Sequence, residues 1–103
     1  MSITSSVSQD GRTLSITVKG RFDFSLHRLF RDVYRNVDAQ VFHYQIDLSQ
    51  VDFIDSAALG MLLVFRERIG GDSSRVKITG CRNDVKKIME VSNFHKMFEI
   101  ESA

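Results

Sequence analysis

The sequence predicts an α/β fold: one mixed β-sheet, in the order β-β-α-β-α-β-α-β, covered by helices. Three observations predict it. The chain has 103 residues and a mass of 11.8 kDa, the size of one domain over residues 1–103 with no room for a second. From residue 42 onward, stretches of period two alternate with stretches of helical period. Strands separated by single helices pair in parallel through crossovers. The first twenty residues instead hold two strand patterns around an Asp-Gly turn, which adds an antiparallel hairpin.

The elements follow in chain order. Ile3 to Val7 is a short, mostly polar strand, and Gln9-Asp10-Gly11 is a turn. Leu14, Ile16 and Val18 alternate with Ser15, Thr17 and Lys19, a strand with one buried face that Gly20 ends. Ser25 to Val37 is the clearest helix. Leu26, Leu29, Phe30, Val33, Tyr34 and Val37 fall on one side, and Ser25 is its expected N-cap. Phe42, Tyr44, Ile46 and Leu48 mark the next strand, after which a short acidic and apolar loop is expected. Ser56 to Ile69 reads as a helix stopped by Gly70-Gly71. Arg75 to Thr79 is a short strand. Asn83 to Val91 is a helix capped by Asn83, with Val85, Ile88 and Met89 on one face. Asn93 suits a left-handed turn, and Met97, Phe98 and Ile100 form a last short strand.

Composition excludes several classes. Fourteen basic residues against thirteen acidic leave a formal charge of +1. A general nucleic-acid binder or a polybasic membrane-surface protein carries a basic excess. The apolar window Ile54 to Phe65 is interrupted by Asp55 and Ser56 and closed by Arg66-Glu67-Arg68, too short and too charged to span a bilayer. The start, MSITSSVSQDG, lacks the pattern of a signal peptide. The expectation is a soluble, cytoplasmic domain. The single cysteine, Cys81, excludes an intramolecular disulfide and a CxxC zinc site. It reads as a small semi-buried residue rather than a reactive thiol.

Enzyme chemistry has no motif. His27, His43 and His95 are scattered without ligand spacing and read as surface histidines, so no metal is expected. Ser56 lacks a G-x-S-x-G elbow, and no phosphate-binding glycine loop is present. Hence no catalytic residue and no cofactor are assigned. Asp52 and Asp55 are paired carboxylates with two readings, acid–base work or, more commonly, ending the strand and capping the next helix.

The segment that carries information is Asp47 to Leu63, where a strand ends and Ser56 opens a helix. Ser56 has two readings. It is a cap or first-turn residue that satisfies an orphan N–H. Or it is a phosphorylation site, since a phosphate there meets free N–H groups and the positive end of the helix dipole. The helix after it is apolar on two sides. Ala58, Leu62, Phe65 and Ile69 form one stripe, while Ala57, Met61 and Val64 lie elsewhere with Gly60 beside them. The second side is either buried or offered to a partner.

The run DLSQVDFIDSAALGML, Asp47 to Leu62, resembles the signature of the STAS domain of bacterial anti-sigma-factor antagonists. Gly20-Arg21-Phe22-Asp23 and Val91-Ser92-Asn93-Phe94 are similar to two further markers of that family. The resemblance covers essentially the whole chain. It implies a non-enzymatic protein that binds an anti-sigma factor and frees a sigma factor in transcription regulation. The anti-sigma partner is expected to be a serine kinase that phosphorylates Ser56, and a PP2C-type phosphatase is expected to reverse it. Asp23 and Asp55 align with acidic residues near the acceptor. Ala57 and Ala58 stand where many members have serine and glycine, which narrows phosphorylation to Ser56. The implied partner surface is Asp23, Asp55, Ser56, Ala57, Gly60, Met61 and Val64. The alternative is an accessory STAS subunit of a transport or stress-signalling complex, with Ser56 never modified.

Overall fold

A computed structural model describes residues 2–35, 37, 40–70 and 75–102. Its strands are β1 (Ser2–Val7), β2 (Thr13–Phe22), β3 (His43–Ile54), β4 (Arg75–Cys81) and β5 (Glu99–Ser102). Its helices are α1 (His27–Arg35), α2 (Ser56–Arg68) and α3 (Asn83–Val91). The strands lie in sequence order, β1-β2-β3-β4-β5. β1 and β2 are antiparallel, and every later pair is parallel. The mixed sheet and the α/β class therefore stand as the alternating periods predict.

One residue row shows how the core is built. Ile16 pairs with Ile46, Ile46 with Ile78, and Ile78 with Ile100, all on the same face. Ile16, Ile46 and Ile78 are fully buried. The helices cover this face: Phe65 of α2 packs edge-on against Tyr44 of β3 at 5.6 Å and at a tilt against Phe30 of α1 at 5.5 Å. The opposite face carries Thr13, Ser15, Thr17, His43, Gln45 and Asp47, none of them buried. Parallel sheets are usually covered on both faces. Here the strict alternation of apolar and polar residues leaves one face open.

Several boundaries differ from the sequence expectation, each for a physical reason. β2 does not stop at Gly20. Gly20 takes a positive φ of 85°, and the strand runs on to Phe22 through two register shifts against β3. β3 likewise continues past Leu48 to Ile54, where a loop was expected, because Gln50, Val51, Phe53 and Ile54 pair with that extension. Phe42 precedes β3 and is exposed, stacked edge-on against His43. α1 is shorter than its pattern. A 3-10 turn, Phe24–Leu26, comes first, and Leu29 faces solvent while Leu26, Phe30 and Tyr34 are buried. Val37 lies past the helix and packs against the core. α2 ends at Arg68, with Ile69 and Gly70 forming the stop; Gly71 lies outside the described residues. Asn83 is not the cap of α3: it sits inside the helix with φ 49°, and Arg82 holds the cap position without a side-chain bond. Asn93 does adopt the left-handed turn, with φ 60°. Met97 and Phe98 precede β5, and Phe98 is buried.

Candidate functional site

The site lies where β2 and β3 end side by side. Phe22 pairs with Ile54, so the next residues, Asp23 and Asp55, leave the sheet together. Both are extended, with φ −138° and −120°, and both turn their carboxylates back to cap. Asp23 accepts from the Ser25 N–H at 3.0 Å and from the Ser25 hydroxyl. Ser25 therefore donates to a cap and is not itself one. Asp55 accepts from the Ala58 N–H at 2.9 Å and opens α2.

This assignment decides the role of Ser56. The cap is Asp55, so the Ser56 hydroxyl is not needed to hold the helix. Ser56 is the first helical residue and is exposed. The Ala58 N–H is taken by the Asp55 side chain, and the Leu59 N–H by the Asp55 carbonyl at 3.1 Å. The N–H groups of Ser56 and Ala57 precede the first intrahelical bond and belong to the helix's free positive end.

The charge around Ser56 is already committed. Hydrogen bonds from the Ser25 hydroxyl and N–H, then from Arg21, hold the Asp23 carboxyl below its ordinary value of 3.8. The Arg21 guanidinium lies 3.4 Å from Asp23 and 4.0 Å above the centre of the Phe53 ring. Arg21 is thus engaged twice, by a carboxylate and by an aromatic face.

From Ala57, the residue after Ser56, a groove runs along α2 against α1, with a volume of about 440 Å³. Ala57, Gly60 and Val64 form one wall. Val64 is 53% exposed, and a methyl group built on Gly60 would meet nothing within 4 Å. For Met61, of the two readings of this side of α2, burial is what is observed. It is only 6% exposed and lines the groove from below its rims. The other wall holds Phe24, 65% exposed and stacked on His27 at 5.0 Å between ring centres. Phe24 escaped the sequence reading. Its signal was its place directly after the Gly-Arg-Phe-Asp run, where an apolar residue on a turn has no strand or helix to bury it.

The other candidates do not join this site. Cys81 is fully buried at the end of β4, and burial pushes its thiol up to about 11. His43 is on the open sheet face, and His95 lies in the turn after α3. Among the described residues no group of three or more His, Cys, Asp or Glu side chains is placed to hold a metal ion. No described helix is long and apolar enough to cross a membrane.

The fold and this site define a small domain that offers one helix end and one groove. The family model described as "Mlab, STAS domain" matches residues 5–99, and the chain belongs to the STAS-domain family. A STAS-domain-containing protein of Pseudomonas aeruginosa (strain UCBPP-PA14) is 42% identical over 100 residues, covering 97% of this chain and 99% of that protein. The structure of an anti-sigma factor antagonist from Mycobacterium paratuberculosis has a TM-score of 0.77 at 21% identity, over 99% of this chain and 87% of that one. The anti-sigma factor antagonist SpoIIAA of Bacillus, in its unphosphorylated form, has a TM-score of 0.73 at 14% identity, over 99% of this chain and 89% of that one. At these identities the two structures show the shared fold.

Proposed function

We propose that this protein is an anti-sigma-factor antagonist. In this reading it is a non-enzymatic domain that binds an anti-sigma factor and so releases a sigma factor. The anti-sigma factor is itself a serine kinase that phosphorylates Ser56 and switches binding off. A PP2C-type phosphatase restores it. The observation that carries the reading is the position of Ser56: exposed, first in α2, relieved of capping by Asp55, and next in the chain to Ala57, which lines an apolar groove. The similarity in fold to SpoIIAA, whose structures include a phosphorylated form, supports it.

The switch follows from local electrostatics. A phosphate adds about −1.5 to −2 charges at pH 7. The Asp23 and Asp55 carboxylates already stand at this end, and Arg21 is engaged. The added charge must be desolvated to enter an interface. A loss of about 1.4 kcal/mol there weakens binding tenfold. Asp23, Asp55, Ser56, Ala57, Gly60 and Val64 form the partner surface in this reading, and Met61 supports it from below.

The test pairs two variants with a mass. Ser56→Ala is expected to bind the purified anti-sigma partner as the wild type does, and Ser56→Asp about tenfold more weakly. Protein taken from cells is expected to contain a fraction about 80 Da heavier, the mass of a phosphoryl group. Equal binding by wild type and both variants, with no heavier fraction, would overturn the switch. It would leave a constitutive accessory subunit in its place.

A further inference from the structure

The groove between α1 and α2 continues past Val64. It opens into a second hollow of about 290 Å³, lined by Arg31, Tyr34, Arg35 and Arg68. Arg31, Tyr34 and Arg68 line both hollows, so the two form one channel. It is apolar near Ser56 and basic at the far end. Ala57 and Arg68 mark its ends on α2, roughly 16 Å apart at the helical rise.

The basic end is only partly neutralised. Arg35 has Asp32 at 3.9 Å, but neither Arg31 nor Arg68 forms an ion pair among the described residues. The Nε–H of Arg31 is buried and finds no hydrogen-bond acceptor there. A buried donor without an acceptor is rare, because its lost hydration is not replaced. Burial raises the Tyr34 phenol above its ordinary value, so at neutral pH it stays a neutral donor beside the two guanidiniums. The side chains lining this end, Arg31, Tyr34, Arg35 and Arg68, therefore present donors and an excess of positive charge that suit an anionic acceptor.

We propose that the channel seats an acidic amphipathic helix of the partner protein. Its apolar side chains, at i, i+4 and i+7, lie over Gly60 and Met61. A carboxylate at its far end reaches Arg31 and Arg68. A helix about 10 Å wide covers both rims, including the exposed Phe24 and Val64. A single lipid acyl chain would leave those rims wet. The inference deepens the proposed partner binding and rests on it.

Val64→p-benzoylphenylalanine, expressed in cells and irradiated, is the probe. The expected product is a covalent adduct to one protein. The cross-linked peptide should carry apolar residues at helical spacing and two or more Asp or Glu residues within two turns. A synthetic copy of that segment should bind wild type at least tenfold more tightly than Arg31→Gln/Arg68→Gln. The difference should shrink as salt rises, and the variant should melt at the wild-type temperature. A neutral or basic segment, an adduct to a second copy of this chain, a lipid adduct, no adduct, or equal affinities would each overturn the proposal. The identity of the cross-linked protein separates the two readings. An acidic segment from a protein other than an anti-sigma factor keeps the channel and removes the proposed function. A non-acidic segment of an anti-sigma factor does the reverse.

Discussion

Single atoms decide which positions tolerate change. A methyl group on Gly80 would lie 2.6 Å from the Ser49 Cβ and 2.8 Å from its backbone, and φ there is 77°. Neither the backbone conformation nor the space suits a side chain. Gly80→Ala should therefore cost about 3 kcal/mol, combining left-handed strain and overpacking. Thermal unfolding should read this as a fall of more than about 10 °C, since 1 kcal/mol shifts a domain of this size by about 4–8 °C. An unchanged melting temperature would mean that β3 and β4 are not packed at this distance. Cys81 makes the opposite kind of statement. Its thiol is pushed up to about 11 by burial. Iodoacetamide at pH 8 should leave the native protein unlabelled for as long as the urea-unfolded chain takes to react fully. Native labelling at a similar rate would contradict the burial. The sequence reads this residue as semi-buried from the apolar strand pattern before it, and the structure buries it fully.

At the scale of elements, periodicity was legible where one partner face decided burial. It failed where two elements met. α3 was readable nearly to the residue, because its single buried face is set by Val85 and Met89. The end of β3 was not. Its register shifts against β2 break the period of two around Gln50, so strand looks like loop. Ser56, Asp23 and Asp55 were legible through the motif and do come to one end of the sheet. The basic end of the groove was invisible, because Arg31 and Arg68 stand on different helices and only packing joins them. Gly60 tests what the groove side of α2 is for. Gly60→Ala should raise stability by about 0.5–1 kcal/mol through helix propensity alone. The same methyl group stands in the groove, so affinity for the partner should fall. Opposite signs in melting temperature and affinity would separate a docking face from an idle one, and unchanged affinity would assign the glycine no role in binding. The caps add a pH dependence. The folded Asp23 carboxyl titrates below its unfolded value of 3.8. Its stabilising contribution is present above that value and is lost as pH falls through the lower folded value. Asp23→Asn keeps an acceptor for Ser25 and should flatten the melting temperature against pH below about pH 4. An unchanged slope would place the acid sensitivity elsewhere.

The whole molecule carries a formal charge of +1. One phosphate moves that to roughly −0.5 to −1, and all of the change falls at one helix end. A domain with little field of its own is thus dominated locally by a single modification. The fold has no reason to resist it. The phosphate would sit at the positive end of the α2 dipole, near N–H groups that have no intrahelical partner. Favourable dipole terms of this kind are about 0.3–1 kcal/mol. Repulsion from Asp23 and Asp55 opposes them, so the net effect on stability should be small, within about 1 kcal/mol. The switch and the fold therefore separate. Ser56-phosphorylated protein should melt within about 5 °C of the unmodified form, a window set by that free energy and the domain's size. Amide chemical-shift changes should be confined to the ends of β2 and β3 and the first two turns of α2, while partner affinity falls at least tenfold. The isoleucine row across the sheet, Ile16, Ile46, Ile78 and Ile100, should not respond. Shifts spread through that row would mean that phosphorylation repacks the core. The mechanism would then be a conformational change, not a charge placed in the path of a partner.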